Sequence, residues 1–351
     1  MGKMDSLNNT KHLLDQYTVI ASAPLLNVGV IGFGNHVQKA YLKVFQNKEL
    51  INLDAICDLS SQESHIKSIL PDIPFYDNIE QFINNNSMDC VIISTPNNLH
   101  YPFAKKCLNE NLNVFLDKPL ALQVNQAKEL IDLSAKKQKM LYVGLPKRYS
   151  PYVIEILSYF HSGELGRIVE LDFDYHIPHY EDFKNSWRNC PGNGGGVLAD
   201  AGYHIVDLLV RFVDSKAISI KCQLENHEFN VDASARISAK FKNKTIANVG
   251  LSLKGPRQIV SERISIYGTE ATLYFNRIKA MNNSEFKELV LVKSKSIQHL
   301  KVPIVDDADV LPLLQCFDDI KNGKHDNTDL QLDLQVIEFI QRAYKNAQNN
   351  V

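Results

Sequence analysis

Three side chains in this sequence could together move a proton and hold a developing negative charge: Asp200, His204 and Lys118. Asp200 and His204 stand four apart in a stretch with helical apolar spacing (Val197, Ile205, Leu208, Leu209), so both project from one helix face, with Asp207 three residues further on. A histidine takes and returns a proton near neutral pH, and a carboxylate one turn away can orient it or hold a substrate hydroxyl. Ordinary pairing along a helix is the alternative reading of the same spacing. Lys118 sits between Asp117 and Pro119 at the end of the apolar run 113–116, where a cation could stabilise an alkoxide. The alternative there is a solvated surface charge.

The elements that would position these residues begin with an apolar run that closes on Gly32-Phe33-Gly34. Val37, Ala40, Tyr41 and Val44 then recur at spacings of three and four, which gives a strand, a tight turn and a helix reaching about Asn47. Such a turn offers backbone N–H groups and a helix dipole to a pyrophosphate, so Gly32, Phe33, Gly34, Asn35 and His36 are the expected cofactor contacts. Val37 stands where the third glycine of that fingerprint would be. The next strand, 51–58, ends on Asp58, at the distance where an acid accepts from ribose hydroxyls and repels a 2′-phosphate. Leu59, Ser60 and Ser61 follow with no Arg among them, which favours NAD over NADP. A strand over 88–93 opens into Ser94, Thr95, Pro96, Asn97 and Asn98, with His100 opening a helix, at a sheet edge where ligands bind. Helix 124–137 and strand 140–144 continue the alternation, so residues 27–144 read as an α/β, doubly wound, mostly parallel sheet.

The pattern changes after Tyr149-Ser150-Pro151. Residues 167–177 alternate with period two, and strand-like runs recur near 217–224, 231–241, 244–253, 261–267, 271–275 and 288–292, which predicts an α+β domain with an open, mostly antiparallel sheet. Helical patterns over 310–322 and 331–347 close the chain. The expected organisation is an extension over 1–26, a nucleotide-binding domain over 27–147 and a substrate domain over 148–351. His176, His179, Tyr180 and Lys184 are candidate substrate contacts on the approach to Trp187, or plain surface residues. Lys147, Arg148 and Lys184 could meet a phosphate or carboxylate, or be solvated.

The 351 residues are 44% hydrophobic with a net charge of −2, enough for two cored domains and without the basic excess that nucleic acid or an anionic membrane would call for. No apolar run is long enough to span a bilayer, and the polar N-terminus lacks a secretory core. The six cysteines have no metal-ligand spacing, so no metal is expected, and buried thiols in a reducing cytoplasm are the expected state.

Taken together, Gly32-Phe33-Gly34, Ser94-Thr95-Pro96-Asn97-Asn98-x-His100, Asp117-Lys118-Pro119-Leu120, Trp187-Arg188 and Gly194-Gly195-Gly196-x-Leu198-x-Asp200-x-Gly202-x-His204-x-x-Asp207 resemble the glucose–fructose oxidoreductase / inositol dehydrogenase / rhizopine-catabolism (Gfo/Idh/MocA) family over nearly the whole chain after residue 26. The resemblance implies a Rossmann domain followed by an open-faced sheet domain, with Lys118, Asp200 and His204 as the catalytic set. It implies that Trp187, Arg188 and Asp117 reach the cofactor side, and that copies associate as a homodimer or homotetramer through the open sheet face. The implied activity is hydride transfer between NAD and a secondary alcohol or ketone of a sugar, cyclitol or derivative. The alternatives are an NAD-dependent glycoside hydrolase of the same family and a non-catalytic NAD-sensing regulator. The chain departs from the family's usual Glu-Lys-Pro at Asp117, and it carries Pro146-Lys147 where an Asn often precedes Arg148.

Overall fold

The computed structural model describes residues 25–84, 87–177, 183–255, 259–280, 284–302, 308–324 and 328–348. The extension over 1–26, apart from its last two residues, and the candidates His179 and Tyr180 lie outside them. The described residues form two compact units, one drawn from Met1–Tyr149 and Asp306–Gln331, the other from Ser150–Val305 and Leu332–Val351.

In the first unit, β1 (Leu26–Ile31) leads through α1 (Asn35–Ala40) and α2 (Leu42–Gln46) to β2 (Ile51–Cys57). After α3 (Glu63–Ile69), β3 (Phe75–Tyr76) and α4 (Ile79–Asn84) come β4 (Cys90–Ile93), α5 (His100–Asn109), β5 (Asn113–Asp117), α6 (Val124–Lys137) and β6 (Leu141–Gly144). The strands are ordered β3-β2-β1-β4-β5-β6, with every pairing parallel. Val28, Val30, Ile92, Val114 and Phe115 have no exposed surface, as strands covered on both faces require. Strand order reverses between β1 and β4, so the crevice beyond their carboxyl ends is the natural ligand position. The single helix expected up to Asn47 is broken at Tyr41, which ends α1 and precedes α2.

The second unit starts with α7 (Pro151–Ser162), β7 (Ile168–His176) and α8 (Ala201–Val213). Then follow β8 (Ala217–Glu225), β9 (Ser234–Phe241), β10 (Ile246–Ser252), β11 (Ile259–Gly268), β12 (Ala271–Ala280), β13 (Glu285–Lys293) and β14 (Ser296–Leu300). They form one sheet, β14-β13-β12-β11-β7-β10-β9-β8, antiparallel throughout except for the parallel β7–β10 pair. One face is apolar and covered: Tyr152 of α7 stacks on Phe275 with ring centroids 4.0 Å apart, and Phe212 of α8 packs on Phe173. The other face carries Asp172, Asp174, Arg236, Asn248 and Arg263 in register, with Asn248 Nδ2 donating to Asp172 at 2.8 Å and Arg236 to Asp174 at 2.6 Å. Ile278, Phe286 and Ile297 of the outer strands are exposed.

Two helices close the chain: α9 (Leu311–Lys321) and α10 (Thr328–Gln348). The sequence assigned 310–322 to the second domain, and the structure corrects this. Leu313, Leu314, Cys316 and Phe317 join the core of the first unit with Val28, Val30, Ile92 and Phe115. A parallel sheet needs cover on both faces, and α9 supplies it against β5 and β6. The residues of α10 from Leu332 onward belong to the second unit, where Phe339 stacks against Phe241. No helix among the described residues is long and apolar enough to cross a membrane.

Candidate active site

The first unit gathers its site residues at the carboxyl ends of β1, β2, β4 and β5. Gly32 turns the chain with φ +87°, and a Cβ there would come within 2.4 Å of the Ser94 carbonyl, so only glycine lets β1 and β4 close together. A Cβ built on Gly34 meets nothing within 4 Å, so the turn is open on its outer side, and Asn35 and His36 are exposed beside it. Phe33 has its side chain in the core, so only its backbone reaches the turn, where its N–H donates to Asp58 Oδ2 at 2.7 Å. The Leu59 N–H donates to Asp58 Oδ1 at 2.7 Å. An open glycine turn beside a half-exposed carboxylate fits the phosphates and a ribose of a dinucleotide. Val37 is fully buried in the same core, so its side chain is absorbed into packing behind the turn.

Beyond β4, Ser94, Thr95 and Pro96 are half-buried, whereas Asn97 and His100 are buried. His100 Nδ1 lies 2.8 Å from the Pro119 carbonyl and Nε2 lies 3.0 Å from the Thr95 carbonyl. The ring therefore braces the 94–100 loop against the backbone just after Lys118. Burial pushes its pKa below the ordinary histidine value, with the two carbonyls and Asp117 acting in the opposite direction. A neutral ring has one N–H, so it donates to one of the two carbonyls. Lys118 is half-buried at the end of β5, next to Asp117, which accepts from Tyr41 Oη at 2.8 Å. Arg148, a candidate anion contact in the sequence, is nearly buried and faces Asp329 at 3.6 Å.

In the second unit the glycine run is folded against the Trp187–Asn189 turn. Gly196 donates to the Arg188 carbonyl at 3.1 Å and has φ +113°, and a Cβ there would lie 2.2 Å from Asp232 Oδ1. Asp232 clamps the chain that follows: its carbonyl accepts from Val197 N–H and its Oδ2 from Leu198 N–H, each at 2.8 Å, while Tyr344 Oη donates to Oδ1 at 2.9 Å. Burial raises the Asp232 pKa, and these donors offset part of that. The clamp fixes the entry to α8, with Asp200 at the N-cap and the half-buried His204 in the first turn. Arg188 Nε donates to Asp200 Oδ2 at 2.8 Å, and its guanidinium lies 4.5 Å from the centre of the Trp187 ring. Asp200 is thus a paired carboxylate, and Arg188 is held against it. Asp207 is buried deep in α8. His176 lies on β7 on the same face as Asp174, and Lys184 is exposed.

Tyr41, Asp232 and Tyr344 escaped the sequence reading. Tyr41 has helical apolar spacing, and its hydroxyl alone hints at a polar partner. Asp232 is the one acid in the strand-like run 231–241, but it falls with the polar Ser234, Arg236 and Ser238 of the alternation, so nothing local marks it for the core.

Two family models match the chain: the oxidoreductase family with NAD-binding Rossmann fold over residues 26–145, and the GFO/IDH/MocA C-terminal domain over residues 154–274. The chain is 30% identical over 149 residues to an uncharacterized oxidoreductase of Schizosaccharomyces pombe, a match that takes in 42% of this chain and 40% of the relative. It is 25% identical over 239 residues to glucose-6-phosphate 3-dehydrogenase of Bacillus subtilis, covering 63% of this chain and 66% of that protein. The chain thus spans from two-fifths to just under two-thirds of the length of these curated relatives. Among solved structures, the fold is shared with aldose–aldose oxidoreductase from Caulobacter crescentus at a TM-score of 0.77 and 17% identity, over 93% of this chain and 99% of that one. With both halves of its fold matched by models of one family, the chain belongs to the GFO/IDH/MocA oxidoreductases.

Proposed function

We propose that this protein is an NAD(H)-dependent oxidoreductase acting on a secondary alcohol, or the corresponding ketone, of a sugar, cyclitol or derivative. The observation that carries the reading is that Lys118, Asp200 and His204 are all present in a chain of this family. Binding a dinucleotide requires none of the three. The bound nicotinamide would accept or return the hydride. His204 takes the proton of the reacting hydroxyl as general base. Lys118 donates to the oxygen on which negative charge grows. Asp200, already fixed by Arg188, orients a neighbouring hydroxyl of the substrate. Asp58 supports NAD over NADP, because its carboxylate beside the turn would repel a 2′-phosphate and no Arg follows it.

Association as a homodimer or homotetramer is supported by the exposed Ile278, Phe286 and Ile297 on the outer strands of the sheet. Six free thiols, five of them buried, support a reducing, cytoplasmic setting. The test is a panel of sugars, inositols, sugar phosphates and nucleotide sugars, each with NAD and with NADP, followed by nicotinamide absorbance. Once a substrate is found, His204→Ala is expected to lower turnover by about a hundred- to ten-thousand-fold with NAD affinity nearly unchanged. Unchanged turnover would remove His204 from its role.

A further inference from the structure

Tyr41 is a buried phenol at the break between α1 and α2, among the rings of Phe45 and Phe115. Its hydroxyl donates to Asp117 Oδ1 at 2.8 Å, and His36 Nε2 lies 3.2 Å from the same hydroxyl, with the imidazole edge-on to the phenol. His36 Nε2 is 3.8 Å from Asp117 Oδ1, so three polar groups meet at one point. Asp117 pairs with Gly144 of β6, where a Cβ would meet the Phe115 ring at 2.6 Å and the Asp117 carboxylate oxygen at 3.3 Å, so β6 leaves room first for that ring and then for the carboxylate. Phenylalanine would fill the apolar part of the Tyr41 site equally well, so the hydroxyl is explained by what it bonds. Burial and the neighbouring Asp117 both raise the Tyr41 pKa, which keeps the phenol a neutral donor at every working pH.

We infer that Tyr41 is a positioning residue for Lys118: its hydroxyl ties Asp117, the residue before the lysine, to His36 on the dinucleotide turn. The carboxylate at position 117 is then held from the glycine-turn side of the sheet, and the strand end that presents Lys118 keeps a fixed place relative to that turn. The inference rests on the proposed role of Lys118, but one of its tests does not need turnover.

In the full-length protein, Tyr41→Phe is expected to unfold within a few degrees of the parent and to bind NAD with affinity within about twofold. Its kcat should fall by about tenfold or more with KM little changed, because a misplaced charge weakens the transition state more than substrate binding. A role confined to packing would leave this split untouched. In a double-mutant cycle with Asp117→Asn, the second substitution should add less than about twofold once the first is present. A kcat within about twofold of the parent, or effects that multiply, would overturn the inference.

The second arm is the rate at which pyridoxal phosphate and borohydride label Lys118, read by peptide mass mapping without nucleotide. It should change by about threefold or more in Tyr41→Phe, because the reactivity of a lysine amine follows its surroundings. Equal labelling overturns the inference. If the parent turns over no substrate of the panel, the functional reading fails and the labelling alone decides the role of Tyr41. Should Tyr41→Phe not fold, His36→Ala at the exposed turn takes its place in the labelling arm under the same criterion.

Discussion

His100 shows how far one side chain can be from the role its neighbours suggest. Its place in Ser94-Thr95-Pro96-Asn97-Asn98-x-His100 groups it with cofactor contacts, yet its ring is buried between the carbonyls of Thr95 and Pro119. Burial holds its pKa below the ordinary value, so the unfolded chain takes up a proton that the folded ring refuses. Between the lowered folded value and about 6.5 the unfolded state binds more protons, and stability falls as the pH drops through that window. Urea unfolding at a series of pH values should show this slope, and His100→Asn should flatten it. A slope identical in the two proteins would mean that the ring takes up its proton alike in the folded and unfolded chains. The positions of Lys118 and Asp58 were legible because strand ends can be read from apolar runs. The burial of His100 was not, because nothing local says which carbonyls will converge on it.

At the scale of an element, the glycine run and α8 depend on an acid more than thirty positions downstream. Asp232 receives Leu198 N–H on one oxygen and Tyr344 Oη on the other, so it joins the loop before α8 to α10. Hydrogen bonds to a charged group are worth about 1.5–3 kcal/mol each. Desolvation of the carboxylate takes back part of that, so Asp232→Ala is expected to destabilise by roughly 3 kcal/mol. Asp232→Asn keeps one acceptor and should lose less. Denaturant melts of both variants check the order; equal losses would mean that the acceptor Asn retains contributes nothing. The sequence showed the helix from its period and the approach from its glycines. It did not show the clamp, because a strand-like alternation through 231–241 gives Asp232 no special place. Conversely, the break at Tyr41 is invisible to a pattern that runs smoothly through it.

At the scale of the molecule, the sequence resolved two fold types because strand–helix alternation gives way to period-two strands. It placed α9 in the wrong unit for a physical reason: an amphipathic helix shows that it will be buried on one side, and not against which sheet. Phe317 of α9 is nearly fully buried in the core of the nucleotide-type unit. Phe317→Ala should therefore cost about 3–5 kcal/mol, and the loss should appear in NAD affinity and in hydrogen exchange of β5 and β6. Exchange lost only from the second sheet would contradict the assignment.

The return of α9 also bears on how the chain is made. A ribosome releases β1 to β6 long before Leu313, Leu314 and Phe317 exist, so the first half of the protein emerges with part of its apolar surface uncovered. Its core closes only after the whole eight-stranded sheet has been synthesised, which makes the order of birth and the order of completion different for the two halves.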